Sequence, residues 1–230
     1  METHRPGRPE DLPDAGVLWA RWAAFAVATW NAEEENERFR YGYWLGDGDH
    51  DLRYDDGACS RWALLRADGG RAVLFGQDDS STVARYEPPI DLLAGAPGWV
   101  RHARLDELLD QGRVECVYWF EGGSWHRAPY PGDLHDDGLD CGIGHLTSRE
   151  RAVGAICALF EFDDDCEGAV EACGRFIEHA ERGTVTEEAV RSFADEVFRI
   201  QTAYELLWPR VPVARSETDL VGMTALVRWS

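Results

Sequence analysis

The chain has 230 residues, with 23 Arg, no Lys and 43 Asp plus Glu, giving a formal net charge of −20, while 44% of its residues are hydrophobic. The apolar share is that of a globular protein, and a chain of this length buries roughly 70% of its unfolded surface, enough for a core without disulfide staples. The carboxylate surplus repels phosphate backbones and anionic headgroups, and no basic run offsets it, so nucleic acid and membrane surfaces are excluded as partners.

Replacement of every Lys by Arg, with abundant Ala, Gly and Asp, fits a GC-rich bacterial coding sequence. It also excludes a Schiff-base lysine, a lysine general base and a P-loop. The cysteines at 59, 116, 141, 157, 166 and 173 form no CxxC pair and read as reduced thiols. The apolar run Val17–Trp30 is too short to span a bilayer, contains Arg21, and follows an acidic rather than a basic stretch. A cytoplasmic location is expected.

In chain order, residues 1–14, with Pro6, Pro9 and Pro13, read as a flexible entry. Asp14 then caps a helix whose Leu18, Trp22, Phe25 and Thr29 recur at helical spacing, widened by Trp19, Ala23, Ala26 and Trp30, before it turns polar through Glu33–Glu37. From Tyr41 the pattern becomes strand-like. Arg61–Arg66 and Arg71–Phe75 form a hairpin around Asp68-Gly69-Gly70, and their apolar runs lack alternation, which predicts central strands covered on both faces. After a Pro-rich connection, a helix is expected near Trp99–Gln111, stopping at Gly112. A second hairpin joins Val114–Phe120 to Ser124–Arg127 through Glu121-Gly122-Gly123.

From Thr147 to about Trp208 the chain reads as three helices, begun by the capping box Thr147–Glu150, by Asp163–Asp165 and by Thr184–Glu187. The last carries Val190, Phe193, Val197, Ile200, Tyr204 and Leu207 on one stripe, which predicts a packed interhelical seam. Leu220–Trp229 reads as a last short strand. The fold class expected is therefore α+β: an antiparallel sheet of four or more strands built from two hairpins, flanked by the N-terminal helix and a C-terminal three-helix unit. Residues 15–230 are read as one domain. A subdivision near 129–146, into a sheet part 15–128 and a helical part 147–230, is the alternative.

Two segments carry candidate chemistry. Asp47, Asp49 and Asp51, followed by Asp55 and Asp56, have the alternating carboxylates of a divalent-cation loop, but an EF-hand register fails because Leu52 stands at the sixth position and Ala58 at the twelfth. Residues 133–145 hold His135, Asp136, Asp137, Cys141 and His145 among glycines. His135, Cys141 and His145, with His126, could supply zinc ligands around a hydrolytic water, or Cys141 could act as a nucleophile with His145 as base. No serine-hydrolase elbow, dinucleotide fingerprint, zinc-protease helix or kinase motif is present.

The leading expectation is a binding protein without a cofactor, immunity-like or adaptor-like, that docks a basic protein partner. Its negative face is expected to gather Asp47, Asp49, Asp51, Asp55, Asp78, Asp79, Asp136 and Asp137, with Trp44 and Trp125 as apolar anchors. A metal-dependent hydrolase using zinc or another divalent cation at the 133–145 loop is the alternative.

Overall fold

The computed structural model describes residues 3–31, 41–45, 50–162 and 166–207. The polar extension through Glu33–Glu37, the carboxylates of Asp47 and Asp49, the Asp163–Asp165 turn and the Leu220–Trp229 strand lie outside them. The elements are α1 (Ala15–Asn31), β1 (Tyr41–Leu45), β2 (His50–Asp55), β3 (Arg61–Ala67), β4 (Arg71–Gln77), α2 (Ala103–Asp110), β5 (Cys116–Glu121) and β6 (Ser124–Arg127), then α3 (Leu139–Ile143), α4 (Arg149–Leu159), α5 (Glu167–Glu181) and α6 (Glu187–Leu207).

The fold is α+β. All six strands join one antiparallel sheet in sequence order, β1 to β6. The β5–β6 turn holds Gly122 and Gly123 at φ 63° and 85°, the double positive φ that a two-residue hairpin of matching twist requires. Strands β3, β4 and β5 are covered on both sides, which is why their sequences do not alternate. Trp62, Leu64, Leu74, Tyr118 and Phe120 enter one core, whereas Ala63, Leu65, Val73, Phe75, Val117 and Trp119 enter another.

The first core is closed by α1, which packs against α4 and α5 as well as β1 and β2. A helix enclosed on all sides has to be apolar all round, and Leu18, Trp19, Trp22, Ala23, Ala24 and Phe25 are all buried. Its one cation, Arg21, is satisfied internally. Nη1 donates to Leu146 O at 2.9 Å and Nε to Glu181 Oε1 at 2.7 Å, and Glu181 accepts from Arg149 as well. Burial pushes the Glu181 carboxyl up, but the hydrogen bonds from Arg149 and Arg21 outweigh it and hold the group below its ordinary value. Beyond α1, Phe176 of α5 stacks on Phe193 of α6 at 4.2 Å between centroids, in the seam expected between these helices.

The second core is covered by α2 and the connection before it, through Val83, Leu92, Leu93, Val100 and Leu105. His102 caps α2, its Nδ1 accepting from Leu105 N at 3.4 Å. Among the described residues no helix is long and apolar enough to cross a membrane.

Two expectations need correction. Residues 3–14 are tied to the body of the protein, as described below, because backbone and side-chain donors in this segment satisfy buried carboxylates. The 133–145 segment is not wholly loop: residues 139–143 coil as α3, started by Gly138 at φ 84°.

Candidate functional site

A densely hydrogen-bonded polar region lies where the entry segment, the segment after β4 and residues 130–146 meet. At its centre is Asp137, 1% exposed. Its Oδ1 accepts from Gly7 N at 2.9 Å and from Leu139 N at 3.4 Å, and its Oδ2 from the phenols of Tyr118 at 2.8 Å and Tyr130 at 3.2 Å. A buried carboxylate is tolerable only when its lone pairs are occupied in this way. Burial, reinforced by the charge of Asp137, holds the Tyr118 phenol and the Cys116 thiol far above their ordinary pKa values, so both stay protonated.

Around this centre the entry segment is clamped. His4 N, His4 Nδ1 and Arg8 N all bond to the Asp11 carboxylate. Arg5 Nε and Nη2 meet Asp140 Oδ2 at 3.0 and 2.8 Å, and Arg151 reaches Asp140 Oδ1 at 3.2 Å. Arg127 Nε donates to Gly7 O at 3.1 Å and its guanidinium lies over the Tyr130 ring.

The segment after β4 locks onto the same loop. Thr82 N donates to Asp136 O at 3.0 Å and Thr82 Oγ1 to the same oxygen at 3.1 Å, while Tyr86 donates to Asp133 Oδ1 at 3.0 Å. Asp136 Oδ1 accepts from Gly138 N at 2.8 Å, closing an Asx turn. Burial raises the Asp136 carboxyl, and the charges of Asp137 and Asp78 act in the same direction, against Gly138 N–H and Arg5. The segment that carries Asp78 and Asp79 therefore meets the one that carries Asp136 and Asp137, with Asp78 itself packed against Gly138. Asp79 and Asp133 are exposed and Asp78 is half-buried.

Register adds Asp55 and Asp56 to this region. Asp55 pairs with Arg61 and Arg61 with Gln77, the residue before Asp78, so β2 and β4 finish at the same end of the sheet. Asp47 and Asp49 lie outside the described residues, so the part of the expected negative face that the structure describes is the group of Asp55, Asp56, Asp78 and Asp79 at this end of the sheet.

Several predicted partner residues are not on the surface at all. Asp51 is 2% exposed and accepts from Arg53 Nε at 2.5 Å; Asp136 and Asp137 are buried in the junction just described. Trp125 is 5% exposed, edge-on to Phe120, with its indole N–H donating to Pro13 O at 2.6 Å, so it is a core residue and not an anchor. The side chain of Trp44 lies outside the described residues; its backbone in β1 pairs with Asp51.

The proposed zinc ligands are dispersed. α3 turns Cys141 outward, beside Arg5 Nη2 at 3.5 Å, whereas the next turn packs His145 inward between Phe25 and Tyr54. Burial, helped by the charge of Arg151, lowers the His145 pKa to about 4, so the ring is neutral at physiological pH. His126 stacks on Trp119 and shares a hydrogen bond with Ser124, and His135 is exposed. Among the described residues no three His, Cys, Asp or Glu side chains gather as a metal ion would require. The pairing of Cys141 as nucleophile with His145 as base fails for the same geometric reason.

A feature the sequence did not reveal lies on the other side of the sheet, where Arg53, Arg61, Arg104 and Arg113 line one cleft of about 200 Å³. These residues are spread over 61 positions, and no local motif announces their convergence. The one signal in the sequence is the charged alternation Asp51, Arg53, Asp55 along β2, which puts three charges on one face of that strand.

The chain matches no family model, no curated protein sequence and no solved structure.

Proposed function

We propose that the protein is a binding protein whose acidic sheet end docks a basic protein partner through Asp55, Asp56, Asp78, Asp79 and Asp133. The observation that carries this reading is the locking of the post-β4 segment onto the 133–137 loop through Thr82 and Asp136. Carboxylates on loops fixed in this way lose little conformational entropy on binding, and a field of one sign speeds encounter with a cation-rich surface. The net charge of −20 extends that attraction over the approach path. With Trp125 in the core, the recognition surface is polar and charged, so affinity rests on charge pairing more than on an apolar hot spot.

The test is capture from host lysate with the wild-type chain and with the variant Asp78→Asn, Asp79→Asn, Asp133→Asn. A partner of high isoelectric point that is retained by the wild type and lost by the variant supports the reading. A partner retained equally by both, or one that is itself acidic, contradicts it.

A further inference from the structure

We infer that residues 4–8 occupy, in cis, a recognition site for an arginine–glycine segment of the basic partner, built from Asp136, Asp137, Asp140 and Arg127; the partner's identity rests on the docking reading above, and the site on the seating of the entry segment.

The segment is held as a bound peptide is held. Gly7 is engaged on both sides of its main chain, its N–H donating to Asp137 Oδ1 at 2.9 Å and its carbonyl accepting from Arg127 Nε at 3.1 Å. Two residues earlier, Arg5 lays its guanidinium across two carboxylates. Its Nε and Nη2 donate to Asp140 Oδ2 at 3.0 and 2.8 Å, and its Nη1 lies 3.7 Å from Asp136 Oδ2. Main-chain bonds give such a seat its affinity, and side-chain pockets give it selectivity. The pocket at Gly7 admits no side chain, because a Cβ there would overlap Leu139 Cδ2 and stand 2.7 Å from the Tyr118 phenol oxygen. The pattern recognised is therefore arginine, any residue, glycine.

The shape of the segment is set from within. Asp11 accepts from His4 N, His4 Nδ1 and Arg8 N, bonds that involve no other part of the chain. Leu12 is the one apolar side chain of residues 3–12 in the core. Undocking of residues 4–8 thus exchanges hydrogen bonds and ion pairs for water and uncovers little apolar area, which is the character of a segment that opens locally.

The seat, by contrast, needs a cation. The side chains of Asp136 and Asp140 keep 11% and 14% of their exposure whereas that of Arg5 keeps 53%, so the arginine is the cover and the carboxylates are what it covers. Arg151 also serves Asp140, but the cation that faces Asp136 is Arg5, acting against burial and the charges of Asp137 and Asp78. Vacated, the seat presents three carboxylates within five residues, beside the Arg127 donor that Gly7 O had satisfied. Charge-assisted, paired bonds make arginine the best replacement. Asp133, on the docking face, begins the same loop, so a partner drawn to that face arrives next to the seat.

The probe is the acetylated, amidated peptide Thr3–Asp11, titrated calorimetrically into the full chain as wild type, as Arg5→Ala, and as Arg5→Ala with Gly7→Ala, whose new Cβ drives the segment off its seat. One-to-one binding is expected, at least about 10-fold tighter for the double variant than for the wild type, whose own segment competes, and intermediate for Arg5→Ala. Because Arg5 is half exposed, the single variant keeps the test open if the double variant does not fold. A peptide carrying Gly7→Ala, or Arg5→Ala, should bind at least about 10-fold more weakly. In the wild type, the Gly7 amide should exchange with solvent faster than those of Trp19, Trp22 and Phe25 in α1. Absence of saturable binding in Arg5→Ala, equal binding of the peptide that carries Gly7→Ala, or exchange of Gly7 only together with α1 would overturn the inference. The titration uses no captured partner, so it fails separately from the docking reading: a lost capture leaves the peptide result standing, and a silent peptide leaves the acidic sheet end standing.

Discussion

The indole of Trp62, on β3, lies so close to the backbone of Gly142, on α3, that a Cβ at that glycine would overlap the ring nitrogen and the carbons beside it. The indole is further held by its N–H donating to Ser60 Oγ at 3.2 Å. This contact seats the junction of the 133–146 segment on the sheet, and it explains a glycine that the sequence presents as one of several in a flexible loop. Gly142→Ala should therefore destabilise the protein by about 1–3 kcal/mol through overpacking. Thermal unfolding reads this as a fall in midpoint of several degrees. Adding Trp62→Phe, which removes the overlapping ring, should recover part of the loss; no recovery would mean that the strain lies elsewhere.

Asp137 should be the most sensitive single side chain of the junction. Asp137→Ala strands the phenols of Tyr118 and Tyr130 and the N–H of Gly7 in a buried region. A loss of roughly 3 kcal/mol is expected in chemical denaturation, since unsatisfied buried donors carry their full desolvation cost. The entry segment should also become accessible to limited proteolysis near Arg5 and Arg8. Unchanged protection there would contradict the clamp.

His145 gives the protein an acid-sensitive limb. Its folded pKa, about 4, lies below the ordinary value of 6.5, so between these values the unfolded chain binds the proton and the folded chain does not. Stability contributed by the neutral ring is present above about pH 6.5 and is lost as the pH falls towards 4, by at most about 3 kcal/mol. Denaturation curves at pH 7, 5.5 and 4.5 measure it. In His145→Leu the fall over this range should be shallower than in the wild type, and a parallel fall would assign the limb to carboxylates alone.

The thiols should divide by burial. Cys59 and Cys141 are exposed, whereas Cys116, Cys157 and Cys173 are buried. Burial pushes the Cys116 thiol well above its ordinary value, and the hydrogen bond between the Cys173 thiol and Cys157, together with burial, raises Cys173. Native labelling with a thiol reagent, followed by mass mapping, should modify Cys59 and Cys141 first and leave the buried three silent until unfolding. Early modification of Cys116 would contradict the position of β5.

Most of the architecture was legible because it rests on local chemistry. The Gly pairs at 69–70 and 122–123 announced both hairpins, unalternating runs announced strands covered twice, and the 3–4 stripe of Val190, Phe193 and Val197 announced the α6 seam. The site was less legible, because its geometry depends on contacts between distant residues. Asp137 looks like one more loop carboxylate until Gly7, 130 residues away, is seen to bond to it. Trp125 looks like an exposed anchor until Pro13 is seen to accept its N–H. His135, Cys141 and His145 look like a ligand set until α3 rotates them apart. The arginine cleft was invisible for the same reason: Arg53 and Arg61 on strands, Arg104 on α2 and Arg113 after it converge only once the register is known.

The docking reading is tested most directly by the association rate of the captured partner, measured by stopped flow or surface plasmon resonance at low and at high ionic strength. Steering by the acidic sheet end predicts a rate that falls at least about 10-fold as salt screens the field, with a lower rate and a shallower slope for the variant Asp78→Asn, Asp79→Asn, Asp133→Asn. A rate that does not change with salt, or that is the same in wild type and variant, would contradict it.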